Sequence, residues 1–258
     1  MDWKNKVVVV TGGSSGIGEA IARVLDVRGA IVVLASRNEE ELKRVLGRLS
    51  DRAYALSLDV SDPVAVEEFF CGVEKGIGPV EGLINNAGFG VFNKFVEASV
   101  IDFERMMAVN YFGTLYCSKA VLPGMLERKS GFIVNIASLA GKVGTPKSSG
   151  YSATKHAVLG FTNALRMEMD GKGVFIGAMN PGPVKTKFFE KADPSGDYVK
   201  NVQWMMLTPE SVALEVALMI EKQIPEVDLP KSMKWLTRLY GAAPRLMDKV
   251  AKRWLNQK

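Results

Sequence analysis

The chain holds two cysteines and one histidine in 258 residues, and no uncharged apolar run of the roughly 18 residues that a membrane span needs. Cys71 and Cys117 are too few and too isolated for a disulfide framework or a metal cluster, which points to a reducing compartment. A single histidine leaves no set of zinc ligands, so no metal is expected. The opening stretch MDWKNKVVVV has no apolar segment of the signal-peptide kind. The chain is therefore expected to be neither secreted by that route nor membrane-spanning, and to work in the cytoplasm. Strong overall charge is also missing. The formal +5 is concentrated at the end, where residues 231–258 carry eight Lys or Arg against one acid, a local +7 that leaves about −2 for the preceding 230 residues. A nucleic-acid binder spreads its basic residues over a folded face, so no nucleic-acid partner is expected.

What is present is an alternation. Short runs rich in Val, Ile and Leu, VVVV (7–10), IVVLAS (31–36), AYALSLDV (53–60), GLINNAG (82–88), FIVNIAS (132–138) and VFIGAMNPG (174–182), are separated by longer segments of helical period. Continuous apolar strands between helices predict a parallel sheet covered on both faces, a single-domain doubly wound α/β fold of the Rossmann type. Ser61 or Asp62 before Pro63, and Thr208 before Pro209 and Glu210, mark helix starts. With 47% hydrophobic residues the chain can fill one such core. Ligands of this fold sit at the carboxyl ends of the strands.

The first strand runs into TGGSSGIGEA, which fits two chemistries. Gly12-Gly13-Ser14-Ser15-Gly16 matches the G-x-S-x-G elbow of a hydrolase serine, and Gly12-x3-Gly16-x-Gly18 matches a phosphate-cradling turn. The hydrolase needs a histidine base, and the one histidine, His156, lies inside a predicted helix next to Lys155. The nucleotide site needs a strand before the turn, a helix after it and a second strand about 20 residues on, and all three are present. Gly12 permits the tight turn, Gly16 lets backbone N–H groups approach a pyrophosphate, and Gly18 lets the helix pack on the strand. Ser14 and Ser15 add hydroxyl donors at a helix N-terminus already favourable to phosphate. The second strand ends at Ser36 and Arg37, where an acidic residue would hold the ribose 2′-hydroxyl of NAD. A guanidinium there suits a 2′-phosphate, so NADP(H) is favoured; the other use for Arg37 is a surface pairing with Glu39 to Glu41.

Downstream, Tyr151 and Lys155 stand four residues apart in YSATK and share a helix face, and Ser138 closes the strand FIVNIAS. A phenol of ordinary pKa near 10 needs roughly 4 kcal/mol to titrate near 7. An ammonium about 4 Å away supplies an energy of that order at an effective dielectric near 20. Ser138 would then hold a substrate oxygen while the Tyr151 proton moves and a hydride crosses between carbon and nicotinamide.

These residues together resemble the short-chain dehydrogenases/reductases over almost the whole chain. The match comprises Thr11-Gly12-x3-Gly16-Ile17-Gly18, Asp59-Val60, Asn85-Asn86-Ala87-Gly88, Asn110, Ser138, Tyr151-x3-Lys155, and Pro181-Gly182 with Thr186. The resemblance implies that Asp59 contacts adenine, that Asn86 and Gly88 border the adenosine ribose, and that Thr186 reaches the nicotinamide carboxamide. It also implies that Lys155 bonds the nicotinamide ribose and that Asn110 holds a water that relays protons to the lysine. A dimer or tetramer of identical subunits is implied as well. Asn85, and alternatively Asn110, also suit the plain task of satisfying buried backbone groups. NADP-preferring members often carry a basic residue where Ser15 stands, so discrimination here falls mainly to Arg37.

Residues 1–230 are thus expected to form one dinucleotide-binding and catalytic unit, with a substrate lid at 183–208. Phe188, Phe189, Tyr198, Val202, Trp204, Met205 and Met206 in the lid, with Leu139 and Val143, predict a hydrophobic ketone, aldehyde or secondary alcohol as substrate. Residues 231–258 form a basic extension resembling the steroid-dehydrogenase-like branch of the family. In it Leu246, Met247, Val250, Ala251, Trp254 and Leu255 make an apolar helical stripe beginning after Pro244. Such a helix suits either peripheral contact with an anionic membrane or packing against the core or another subunit. The expected activity is NADPH-dependent carbonyl reduction with Tyr151 as acid. A 3-oxoacyl reductase and a non-catalytic NADP(H) sensor are the competing expectations.

Overall fold

The computed structural model describes residues 2–243 and residue 245. The helical stripe expected from Pro244 onward lies outside the described residues. Seven parallel strands form one sheet in the order β3-β2-β1-β4-β5-β6-β7. They are β1 Val7–Thr11, β2 Ile31–Ser36, β3 Tyr54–Ser57, β4 Val80–Asn85, β5 Gly131–Ile136, β6 Val174–Pro181 and β7 Glu226–Leu229. The order reverses between β1 and β4, which opens a crevice at their carboxyl ends. Thr11 bridges it: its hydroxyl donates to the Ile84 carbonyl and accepts from the N–H groups of Asn86 and Ala87.

Helices cover both faces, as strands without polar alternation require. Val8, Val10, Val32 and Leu34 point to one side, where they bury Ile21 and Leu25 of α1 (Gly16–Val27) and Val216 of the later helix 209–221. Val7, Val9, Val33 and Ile133 point to the other, onto Phe70, Val121 and Leu165. This parity is the two-residue period of a strand. The remaining helices are α2 Glu39–Leu46, α3 Pro63–Gly76, α4 Val100–Met107, α5 Gly113–Arg128, α6 Ser149–Glu168, α7 Phe188–Ala192, α8 Asp197–Val202, α9 Pro209–Glu221 and α10 Met233–Ala242. Asp62 is the cap of α3, accepting from the N–H groups of Val64 and Ala65, and Thr208 caps α9 through the Ser211 N–H. Each such cap is worth about 1 kcal/mol.

Two expectations need correction. The third apolar run pairs only over Tyr54–Ser57, because β3 is an edge strand with a partner on one side only. A seventh strand, β7, was not anticipated; its acids Glu226 and Asp228 hide its pattern, and parallel pairing with Ala178 to Pro181 supports it.

Candidate functional site

The glycine turn is built as a cradle. Gly12 and Gly16 adopt φ of +63° and +55°, a region that side-chain-bearing residues rarely enter. A β-carbon on Gly18 would collide with the Gly12 carbonyl oxygen and approach Asn86 Nδ2 to 2.6 Å. Asn86 pins the turn by donating to the Thr11 and Gly12 carbonyls at 3.0 and 3.1 Å. Ser15 is exposed at the start of α1, and half-buried Ile17 packs on the core. Thr186 lies over the turn, its methyl 3.0 Å from where a Gly16 side chain would begin.

At the end of β2 the Ser14 and Ser36 hydroxyls share a hydrogen bond of 2.9 Å. Arg37 is 67% exposed and reaches Asp59 at 3.4 Å, rather than Glu39 to Glu41. Burial disfavours charge on Asp59, but hydrogen bonds from Ser61 and the Arg37 charge outweigh it and hold the carboxyl below the usual range. Val60 is buried against Gly113. The open glycine backbone, the α1 N-terminus, two hydroxyls and a lightly committed guanidinium together fit a phosphorylated dinucleotide.

The second cluster stands at the carboxyl ends of β4, β5 and β6. Asn110 falls in a π-helical turn, Ala108–Phe112, not in regular helix, and such bulges re-aim side chains at functional sites. Its amide is buried. Oδ1 accepts from the Phe89 N–H, while Nδ2 donates to the Phe89 carbonyl and to Thr154 Oγ1. Gly88 brings Asn110 and Lys155 together: a β-carbon there would lie 3.1 Å from Asn110 Oδ1 and 3.7 Å from Lys155 Nζ. Lys155 is 6% exposed and donates to the Ile136 carbonyl at 2.7 Å, with its nitrogen 5.7 Å from the centre of the Tyr151 ring. Ser138 accepts from the Ala140 N–H and donates to the Pro181 carbonyl, and its hydroxyl lies close enough to the Tyr151 phenol to favour the ionised form.

The electrostatics differ from the expectation of an acidic phenol. Burial pushes Tyr151 above its ordinary value; the Ser138 hydrogen bond opposes this, and the nearby Tyr198 phenol reinforces it. Burial also pulls Lys155 down to about 8. The reason is common to both: in an apolar enclosure each charge loses its hydration, and the ammonium spends its hydrogen bond on Ile136. The protein alone thus keeps Tyr151 a protonated donor at neutral pH.

A family profile described as short chain dehydrogenase matches residues 6–196. The chain belongs to the short-chain dehydrogenase family. It is 42% identical over 187 residues to the meso-2,3-butanediol dehydrogenase of Serratia marcescens, covering 72% of this chain and 74% of that one. Among solved structures, the closed form of serine dehydrogenase complexed with NADP+ is similar at a TM-score of 0.81 and 34% identity, over 86% of this chain and 94% of that one. A short-chain dehydrogenase/reductase from Burkholderia phymatum in complex with NAD is similar at a TM-score of 0.88 and 25% identity, over 96% of both chains. This short-chain dehydrogenase is accordingly an oxidoreductase of alcohol and carbonyl groups.

Several residues of the dehydrogenase's site escaped the sequence reading. Phe92, in the loop after β4, touches Tyr151, Phe188, Phe189 and Tyr198, whereas Trp204, expected in the lid, is 84% exposed. The signal for Phe92 was its place: GFGVF follows directly on the fourth strand. Arg44 of α2 donates to the Ser14 carbonyl and pairs with Glu19 and Glu41, bracing the turn from behind. Lys142, just beyond Ser138, pairs with Asp228 of β7 at 2.6 Å. Asp228 also accepts from Asn180 and from Thr237 of α10. Asn85 is structural, donating to Asn135 and Ser118. His156 is exposed on α6 and its ring bonds the Ser152 carbonyl.

Proposed function

We propose that this short-chain dehydrogenase is an NADPH-dependent carbonyl reductase, reversible in principle, acting on a hydrophobic ketone or aldehyde. The observation that carries this is the convergence of Tyr151, Lys155 and Asn110, with Lys155 Nζ 5.7 Å from the centre of the Tyr151 ring and both Lys155 and Asn110 closing on Gly88. Ser138, whose proton rests on the Pro181 carbonyl through a long 3.3 Å bond, would turn it to the substrate's carbonyl oxygen and orient that oxygen toward the phenol. Tyr151 gives that oxygen a proton as negative charge develops on it. Lys155, held by the Ile136 carbonyl, faces the same space as Asn110 and stabilises the phenolate left behind. NADPH supplies the hydride when bound, with Gly12, Ser14, Ser15, Gly16, Ile17 and Gly18 along its phosphates. Ser36 and Arg37 take its 2′-phosphate, Asp59, Val60, Asn86 and Gly88 its adenosine end, and Pro181, Gly182, Thr186, Tyr151 and Lys155 its nicotinamide end. The high phenol pKa favours reduction at neutral pH, and alcohol oxidation gains as pH rises.

Tyr151→Phe tests this. Turnover of a hydrophobic ketone should fall by about 10² to 10⁴, with NADPH fluorescence titration unchanged. Full activity in the variant would remove Tyr151 from the mechanism, and a wild type inert toward a broad carbonyl panel would favour the sensor.

The same proposal includes a homodimer or homotetramer in the cytoplasm, checked by light scattering. Contact with an anionic membrane through residues 231–258 is favoured by α10, where Trp235 and Leu239 are 69% and 58% exposed beside Lys231 and Lys234. Equal liposome binding by the full chain and one ending at residue 243 would discard the contribution of the last segment.

A further inference from the structure

We infer that the substrate carries an aromatic ring next to its carbonyl group, an extension that rests on the carbonyl-reductase proposal. Two rings, Phe92 and Phe188, contact the proton donor, and Phe189 and Tyr198 pack behind them. Phe92 meets Tyr151 at 5.7 Å between ring centres with planes at 62°, and Phe188 meets Tyr151 at 5.6 Å and 58°. Phe92 also meets Phe188, Phe189 and Tyr198 at 6.2, 6.2 and 5.2 Å. The Phe92 N–H donates to the Ala192 carbonyl at 2.8 Å, so the loop after β4 and the lid are stitched together at this point. Gly90 is the floor: a β-carbon there would lie 2.8 Å from Phe188 and 3.2 Å from both Phe92 and Tyr151.

Most of these contacts are edge to face, in which the positive rim of one ring meets the negative face of another. A substituent entering beside Tyr151 therefore finds alternating ring faces and rims. A flat aryl group matches that alternation, while a saturated ring of equal size gains only contact area. Phe92, Tyr151 and Phe188 are each only partly buried, so ring surface beside the proton donor stays accessible to a substrate.

The test compares acetophenone with methyl cyclohexyl ketone, ketones of equal carbon count. Dissociation constants are measured by saturation-transfer NMR on the cofactor-free full chain, and kcat/KM with NADPH on the same preparation. Two favourable ring contacts predict binding of the aryl ketone tighter by about 10-fold, and Phe92→Leu and Phe188→Leu should each bring that ratio toward one. A wild-type ratio near one, or a ratio untouched by both folded variants, would overturn the inference. Should neither ketone turn over, the reductase proposal fails, and the two dissociation constants still decide the ring preference.

Discussion

Lys155→Met is the sharpest perturbation of the site, because its effect has a sign and a pH window. Burial pulls the Lys155 pKa down to about 8 from an ordinary 10.5, so between those values the unfolded chain binds more protons than the folded one. Stability must therefore rise with pH in that interval. Below pH 8 both states are protonated and the contribution is level. Integrating one group with this difference gives a gain of about 2 to 3 kcal/mol between pH 7 and pH 10. The near-complete burial of the side chain means solvent does little to dilute it. Other groups titrate nearby: Cys117 is pushed up to about 12 by burial, which lowers stability above its ordinary 9.0, and Tyr151 acts in the same sense above 10. Both remain in the variant, so the wild-type minus Lys155→Met difference isolates the lysine. The loss of the hydrogen bond to Ile136 adds an offset of about 1 kcal/mol that does not vary with pH. Urea unfolding of the cofactor-free protein at pH 7, 8, 9 and 10 measures the difference. If it is flat across that range, the ammonium is not desolvated in the folded chain and the account of the site's electrostatics is wrong.

Three further outcomes follow from the geometry. Arg37→Met should weaken NADPH by about tenfold and leave NADH unchanged in fluorescence titration; equal losses for both would take the 2′-phosphate away from Arg37. Gly18→Ala drives a methyl into the Gly12 carbonyl and should destabilise the fold by about 1 to 3 kcal/mol, with dinucleotide binding lost in calorimetry; unchanged binding would mean the cradle is looser than its contacts indicate. Lys142→Met leaves Asp228, 7% exposed, with only neutral donors besides, and should cost about 2 kcal/mol in urea unfolding, discounted because Lys142 is itself partly exposed; no change would show that Asn180 and Thr237 suffice.

The parts legible in the sequence were those set by local chemistry. Apolar runs without alternation announced buried parallel strands, and Gly12, Gly16 and Gly18 announced a turn that only glycine can make. The Tyr151, Lys155 and Ser138 spacing announced a cluster, since four residues on a helix share a face and a strand end lies close by. What stayed hidden depended on distant partners. Strand β7 reads as polar because Glu226 and Asp228 face Lys142 and Asn180, which are 84 and 46 residues away from Glu226 in sequence. The contacts of Phe92 with Phe188, Phe189 and Tyr198 exist only because the segment after β6 folds back over the loop after β4. The raised phenol likewise has no sequence signature, for the spacing of Tyr151 and Lys155 fixes their face and says nothing about the water around them.

The Asp228 junction has a practical bearing on how this chain can be altered. One carboxylate fastens the segment behind Ser138, the end of β6 and the helix that starts the basic extension. A cut between Asp228 and Thr237 would remove the α10 arm of this brace and leave the arms to Asn180 and to Lys142, four residues from the serine.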